Sequence, residues 1–191
     1  RSTAGASLRR AGQDGWEDTG IVVTSSRSEG ALRVQLTSPS TAVRRIRLRW
    51  RGRLDGVRQL MGDAWERGYG DLEWRVFVPD RVMPWYFAAF DGRATHAYGV
   101  RTRAKAFCFW QADPQGISLW TDVRSGGAGI ALGNRTLTVC EVVCRQARGA
   151  EPAFSDDLAE LANRRIEALD VTDREVDAGG RSRLEQPLAL G

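Results

Sequence analysis

Residues 106–123 read AFCFWQADPQGISLWTDV, two largely apolar runs on either side of the turn sequence DPQG at residues 113–116. Aspartate, proline and glycine in one short connection are typical of a tight turn, so the pattern predicts a β-hairpin. In the first run, Phe107 and Cys108 begin a series whose odd and even positions are both largely apolar. We therefore expect this strand to lie inside a sheet and to be covered on both faces.

Outward from this hairpin, short runs with strand-like alternation and closely spaced turns fill residues 21–150. The dipeptide Asp91-Gly92 separates residues 85–90 from residues 95–100 and predicts a second hairpin. No stretch before residue 150 repeats its apolar residues at helical spacing. The sequence thus predicts an all-β domain, with an antiparallel β-sandwich or barrel-like architecture.

The two ends of the chain predict other structures. Residues 1–20 are rich in glycine, serine and alanine and predict a flexible lead-in. After Pro152, Ser155 can cap a helix, and apolar residues recur at helical spacing as far as Leu169. We expect one amphipathic helix within residues 151–170 and a disordered, charged tail over residues 171–191.

Four arginines share one face of the predicted strand in residues 43–53, VRRIRLRWRGR: Arg45, Arg47, Arg49 and Arg51. Such a row could follow the phosphates of a nucleic acid, and the net charge of the chain is +4. Binding of a single strand would also need aromatic rings among the arginines, and this strand has none on that face. We therefore favour a solvated outer face, or an edge strand protected by its charge, and do not expect nucleic acid as a partner.

The cysteines and the single histidine argue against several classes of site. The chain has three cysteines, Cys108, Cys140 and Cys144, and an odd number does not suggest a disulfide framework. Cys140 and Cys144 lie roughly 13 Å apart if both are in one strand, which is too far for a disulfide. We expect buried free thiols, which favours a reducing, cytoplasmic compartment. His96 has no second ligand at metal-binding spacing, so we expect no zinc site, no Ser-His-Asp triad and no cofactor. No apolar run reaches the roughly 20 residues of a membrane helix.

Residues 62–86, GDAWERGYGDLEWRVFVPDRVMPWY, hold an unusual density of carboxylates and aromatic rings. The carboxylates and rings are Asp63, Glu66, Asp71, Glu73, Trp65, Tyr69, Trp74, Trp85 and Tyr86. These groups suit a sugar, whose CH groups stack on flat rings and whose hydroxyls bond to charged side chains. The alternative is a glycine-punctuated loop whose tryptophans fill the core of the sandwich.

The same stretch carries a family resemblance. The segments GDAWERGYGDLEWR, MPWYF, FDGRATHAYGVRT and FCFWQADPQGISLWTDVRSGGAGIALGNR resemble the N-terminal β-sandwich of bacterial α-galactosidase-like glycoside hydrolases of the melibiase type. The resemblance covers residues 43–154. It implies that a (β/α)8 barrel follows the sandwich and carries two catalytic aspartates. No part of this sequence resembles that barrel or its aspartate motifs, so no catalytic residue is assigned, and activity of this chain alone is not expected.

In this family the sandwich leans over the mouth of the barrel and lends side chains to sugar recognition. The resemblance thus implies five sugar-contacting residues here: Asp63, Trp65, Glu66, Arg67 and Tyr69. Asp71, Glu73 and Trp74 are expected to stabilise the loop and core instead. The chain begins at Arg1, which suggests a fragment or processed product. The leading hypothesis is a non-catalytic domain of such an enzyme, with a galactoside-like carbohydrate and the barrel as partners; the alternative is a free-standing carbohydrate-binding or scaffold module.

Overall fold

The computed structural model describes residues 6–7, 9–10, 15–18, 20–62, 74–79, 81–148 and 168–172. Within these residues all regular secondary structure is β-strand, arranged as two sheets whose strand pairs are antiparallel. The predicted all-β, sandwich-like architecture is therefore confirmed. The described ranges contain no helix, and hence none long and apolar enough to cross a membrane.

One sheet has six strands and the other has nine. In spatial order the six-stranded sheet contains β1 (Ala6–Ser7), β15 (Ala168–Thr172), β6 (Arg45–Arg51), β13 (Gly116–Asp122), β12 (Phe107–Asp113) and β9 (Met83–Pro84). The nine-stranded sheet contains β2 (Arg9–Arg10), β3 (Gly15–Asp18), β4 (Ile21–Ser28), β5 (Ala31–Thr37), β14 (Thr136–Arg148), β11 (Ala94–Val100), β10 (Tyr86–Phe90), β7 (Gln59–Gly62) and β8 (Arg75–Val76).

Both predicted hairpins are confirmed. Strands β12 and β13 pair along their whole lengths up to Asp113 and Gly116. Strands β10 and β11 pair across the second turn, where the Asp91 carboxylate accepts hydrogen bonds from the backbone N–H groups of Arg93 and Ala94. Strand β12 lies between β9 and β13, as its composition indicates, but only one of its faces is fully buried, through Cys108, Trp110 and Ala112. On the other face Phe109 is buried and the remaining side chains are half-buried, so the expected cover on both faces is only partial.

The core lies between the two sheets and is built from the inward faces of their central strands. The predicted apolar face of β6 is fully buried through Ile46, Leu48 and Trp50. The ring of Trp110 on β12 lies 6.0 Å from that of Trp50 and 5.6 Å from that of Phe87 in the opposite sheet. Aromatic contacts of this length join the two layers into one core.

The structure departs from the expectations for the chain ends at the few residues described there, and it excludes one of the two alternatives for β6. Residues 6–7, 9–10 and 15–18 form strands within the expected lead-in, and Trp16 is buried in the core. Residues 168–172 form β15 instead of the last turn of a helix and the first part of a tail; the rest of the predicted helix lies outside the described residues. Strand β6 is not an edge strand, because β15 and β13 pair with its two sides. Strands of two to five residues are too short to show a period in the sequence, and the partners of β1 and β15 come from distant segments.

Candidate functional site

The five predicted sugar contacts, Asp63, Trp65, Glu66, Arg67 and Tyr69, lie outside the described residues, but both attachment points of their segment are described. Strand β7 ends at Gly62 and β8 begins at Arg75, which pairs with Leu60. The chain therefore leaves and re-enters the nine-stranded sheet at its edge. A Cβ on Gly62 would lie 2.6 Å from Cγ of Met83, so this exit point packs directly against β9.

Trp74, which we predicted to stabilise the loop and core, is half-buried. Its ring centroid lies 6.0 Å from that of Phe90 on β10. Such a contact holds the returning end of the segment against the sheet. The two other residues predicted to have this role, Asp71 and Glu73, lie outside the described residues.

Trp85, between β9 and β10, is an exposed aromatic ring on a rigid backbone. It is 39% exposed and has a φ of 61°, a conformation that is rare for a bulky residue. Its N–H donates to the carbonyl of Cys108 at 3.0 Å, and its carbonyl accepts from Val100 N–H at 3.0 Å and from Trp110 Nε1 at 3.2 Å. A strained backbone held by three hydrogen bonds is typical of functional positions.

The ring of Trp85 stands edge-on to that of Phe107, with centroids 5.1 Å apart and planes at 76°. Phe107 also borders a shallow depression of about 610 Å³ whose polar lining includes Lys105, Asp122 and Arg124. We call Trp85, Phe107 and this depression the aromatic platform. Flat rings beside a carboxylate and two cations can stack on the CH face of a sugar and bond its hydroxyls.

Asp122 is the carboxylate of the platform and is held by two arginines. Arg45 Nε lies 3.0 Å and Arg124 Nη2 2.6 Å from its Oδ2. Burial acts to raise the pKa of Asp122, but the hydrogen bonds from Arg124 and Arg45 outweigh it, so the pKa lies below the ordinary 3.8. The carboxylate therefore stays charged at neutral pH and can accept hydrogen bonds.

We expect Asp122→Asn to lower the free energy of unfolding by about 1–3 kcal/mol at pH 7, because the buried Arg45 and the partly buried Arg124 lose a charged acceptor. A carboxylate whose pKa is lowered by folding stabilises the protein fully above its unfolded-state pKa, and this stabilisation is lost as the pH falls through the folded-state pKa. The difference between wild type and variant should therefore shrink at pH 3, as measured by urea unfolding. Asp55→Asn is the matched control, since the ion pair of Asp55 with Arg53 is exposed and should contribute less than about 0.5 kcal/mol.

The arginine row of β6 shares its face with aromatic rings, which corrects one premise of the sequence analysis. Trp120 on β13 pairs with Arg47, and the guanidinium carbon of Arg47 lies 5.2 Å from its ring centroid. The row is also neutralised locally: Arg49 pairs with Asp113 at 2.6 Å, and Arg45 pairs with Asp122. Charges that are paired with neighbouring carboxylates attract phosphates weakly.

A second cavity, of about 290 Å³, opens between the sheets under the connector that follows β6. Phe87 and Tyr98 stack in its wall with centroids 4.9 Å apart. At its rim Nε2 of His96 lies 3.6 Å from Oδ2 of Asp91. The sequence analysis found no metal-ligand spacing around His96 and assigned it no role. A hint of its contact with Asp91 was present in the Asp91-Gly92 turn, because that turn folds β11 back beside β10.

The three cysteines of the chain are buried and in no disulfide, as predicted. Among the described residues no group of three or more His, Cys, Asp or Glu side chains could hold a metal ion. Comparison with known proteins finds no match: no family model, no curated protein and no solved structure is significantly similar to this chain.

Proposed function

We propose that this chain is a non-catalytic β-sandwich domain of the supersandwich type, the N-terminal domain of an α-galactosidase-like glycoside hydrolase, and that it contributes to sugar recognition. The proposal rests on the sequence resemblance over residues 43–154 and on the aromatic platform. Its partners are a galactoside-like carbohydrate and the catalytic barrel.

The exposed, rigid ring of Trp85 is the observation that carries the proposal. The chain leaves the sheet after Gly62 and returns at residue 74, and this edge lies close to Trp85. Gly62 packs on Met83 and pairs with Phe87, and both of these residues are within two positions of Trp85. The segment with the five predicted contacts and the platform thus start from the same corner of the sandwich. A sugar bound there would meet rings from one side and charged groups from the other.

We expect the purified chain to bind galactose or a galactoside weakly by calorimetry, and Trp85→Ala to weaken that binding at least about tenfold through loss of the stacking face. Val76→Ala is the matched control, since Val76 is the most exposed large apolar side chain described and lies outside the platform. Trp65→Ala should also weaken binding, as the resemblance implies.

Two outcomes would contradict this assignment. Binding that survives Trp85→Ala but is lost in His96→Ala would move the site to the cavity between the sheets. Turnover of a chromogenic α-galactoside by the isolated chain, abolished in Asp63→Asn or Glu66→Gln, would show that the domain is itself an enzyme.

A free-standing carbohydrate-binding or scaffold module is the alternative, and β15 favours it. This strand follows the sandwich in sequence and completes the six-stranded sheet on the open side of β6, from Arg45 to Arg49. A domain that closes its own sheet does not need a neighbouring domain to cover that edge. Binding of galactosides by this chain with no affinity for any α-galactosidase barrel would support the alternative. Nucleic acid is the least favoured partner, because ion pairs occupy much of the arginine row.

A further inference from the structure

The cavity of about 290 Å³ between the two sheets has mostly apolar walls. Leu60, Phe87 and Tyr98 line it from the nine-stranded sheet, and Ile117 lines it from the six-stranded sheet. A cavity of about 150 Å³ with leucine, isoleucine and phenylalanine walls already binds benzene. The volume here therefore suffices for a small molecule with one or two rings.

The cavity exists because one position on the inner face of the nine-stranded sheet is small. Ala89 on β10 pairs with Leu60 on β7 and with His96 on β11. Residues that pair directly across antiparallel strands share a face, and all three of these residues line the cavity. A larger side chain at Ala89 would therefore fill the space between its two neighbours.

The connector of residues 52–58 lies over the cavity and is fixed to both sheets. The N–H of Leu54 donates to the carbonyl of Pro114 at 3.1 Å, in the turn of the β12–β13 hairpin. The N–H of Arg58 donates to the carbonyl of Phe90 at 2.8 Å, at the end of β10. These bonds hold the cavity in shape without a ligand, and most small-molecule sites are preformed in this way.

The rim of the cavity carries a polar pair, Asp91 and His96. Oδ1 of Asp91 accepts the N–H groups of Arg93 and Ala94, while its Oδ2 lies 3.6 Å from Nε2 of His96. That separation exceeds an ordinary hydrogen bond, so one hydroxyl between the two groups can bond to both. The bonds from Ala94 and Arg93 hold the pKa of Asp91 below the ordinary 3.8, and the carboxylate is therefore charged at neutral pH. It accepts a hydroxyl and repels an anion.

We propose that this cavity binds a small phenol, whose ring lies between the sheets and whose hydroxyl bridges Nε2 of His96 and Oδ2 of Asp91. The ring packs against the aromatic side chains of Phe87 and Tyr98. A sugar suits the cavity poorly, because its several hydroxyls would be buried against mostly apolar walls, and each one without a partner costs free energy. The site is thus separate from the aromatic platform and does not depend on sugar recognition there.

The test uses the single histidine of the chain, His96, as its reporter. The NMR signals of its carbon-bound ring protons are followed at constant pH while 4-ethylphenol, ethylbenzene or galactose is added to the full chain. We expect 4-ethylphenol to shift these signals saturably, with a dissociation constant of about 1 mM or below. Ethylbenzene should bind at least about tenfold more weakly, because it cannot bond to the polar pair. Galactose should leave the signals unchanged.

Three variants locate the site. Ala89→Leu should abolish the response to 4-ethylphenol and keep or raise the unfolding temperature, because the added atoms occupy the cavity. Ala97→Leu is the matched control and should leave binding unchanged, since Ala97 lies next to His96 but on the opposite face of β11. Asp91→Asn keeps an acceptor for the turn and loses the charge. It should weaken 4-ethylphenol binding about tenfold and leave ethylbenzene binding unchanged.

Three results would overturn the proposal. The first is a wild-type chain whose His96 signals do not respond to 4-ethylphenol up to its solubility. The second is equal affinity for 4-ethylphenol and ethylbenzene, which would mean that the polar pair plays no part. The third is an unchanged response in a folded Ala89→Leu chain; if this variant does not fold, the comparison of the two ring compounds in the wild type decides. Galactose binding at the platform is measured separately through Trp85→Ala, so either proposal can fail without the other.

Discussion

Gly116→Ala should lower the free energy of unfolding by at least about 3 kcal/mol, a large share of the roughly 5–15 kcal/mol that holds a typical domain folded. Gly116 begins β13 with a φ of 147°, a region that side-chain-bearing residues avoid. A Cβ there would also lie 2.1 Å from the carbonyl oxygen of Trp50. That oxygen belongs to the backbone of β6 and cannot rotate away. Urea unfolding followed by tryptophan fluorescence measures the loss.

Gly127→Ala separates the two causes. Gly127 also has a positive φ, 82°, but a Cβ there would meet nothing within 4 Å. It should cost only about 1–2 kcal/mol from backbone strain. Equal losses in the two variants would show that the contact with Trp50 contributes nothing.

Trp110→Ala should cost about 3–5 kcal/mol, because it removes the ring that joins the two layers of the core. Trp110 is fully buried and contacts aromatic rings of both sheets. Its indole N–H also holds the carbonyl of Trp85, so the variant should loosen the aromatic platform as well. Thermal unfolding gives the stability loss, and calorimetry with a galactoside gives the effect on the platform.

A pair of phenylalanine variants isolates the hydrogen bond. Trp50 is equally buried, but its Nε1 reaches no acceptor in the part of the chain that the structure describes. Trp50→Phe removes a donor that has no acceptor, whereas Trp110→Phe removes one of the two hydrogen bonds that the Trp85 carbonyl accepts. We expect Trp110→Phe to cost about 1 kcal/mol more than Trp50→Phe. Equal costs would mean that the Trp110–Trp85 bond is energetically neutral.

The central strands of this fold were predictable because their signals are local. Asp91-Gly92 and the DPQG turn each fix a hairpin, and the alternation through Ile46 and Leu48 identifies the inner face of β6. The positions of β15 and β1 were not predictable, since they depend on pairing with strands far away in the sequence. Trp16 shows a different limit: β3 pairs with its direct neighbour β4, but a strand of four residues is too short for its alternation to identify the buried side.

The sugar site itself stays a prediction, and the sequence indicated only part of what the structure shows there. The aromatic density of residues 62–86 led us to expect such a site, and Trp85 belongs to that stretch. The backbone conformation of Trp85, and with it the exposure of its ring, depend on hydrogen bonds from Trp110 and Val100, which belong to other strands. The sharing of one face by Arg47 and Trp120 is likewise a cross-strand relation that no single strand shows.

The central place of β14 has a consequence for synthesis of the chain on the ribosome. Its neighbours are β5 and β11, and the paired residues Thr37 and Thr136 lie 99 positions apart. One edge of β5 therefore stays without its final partner while those residues are made, on the order of 5–20 s at ordinary elongation rates. Until β14 emerges, the growing chain presents an open strand edge to other nascent chains. Chaperone capture in this interval, and slowed elongation after residue 37, should strongly affect how much of the protein reaches its native state.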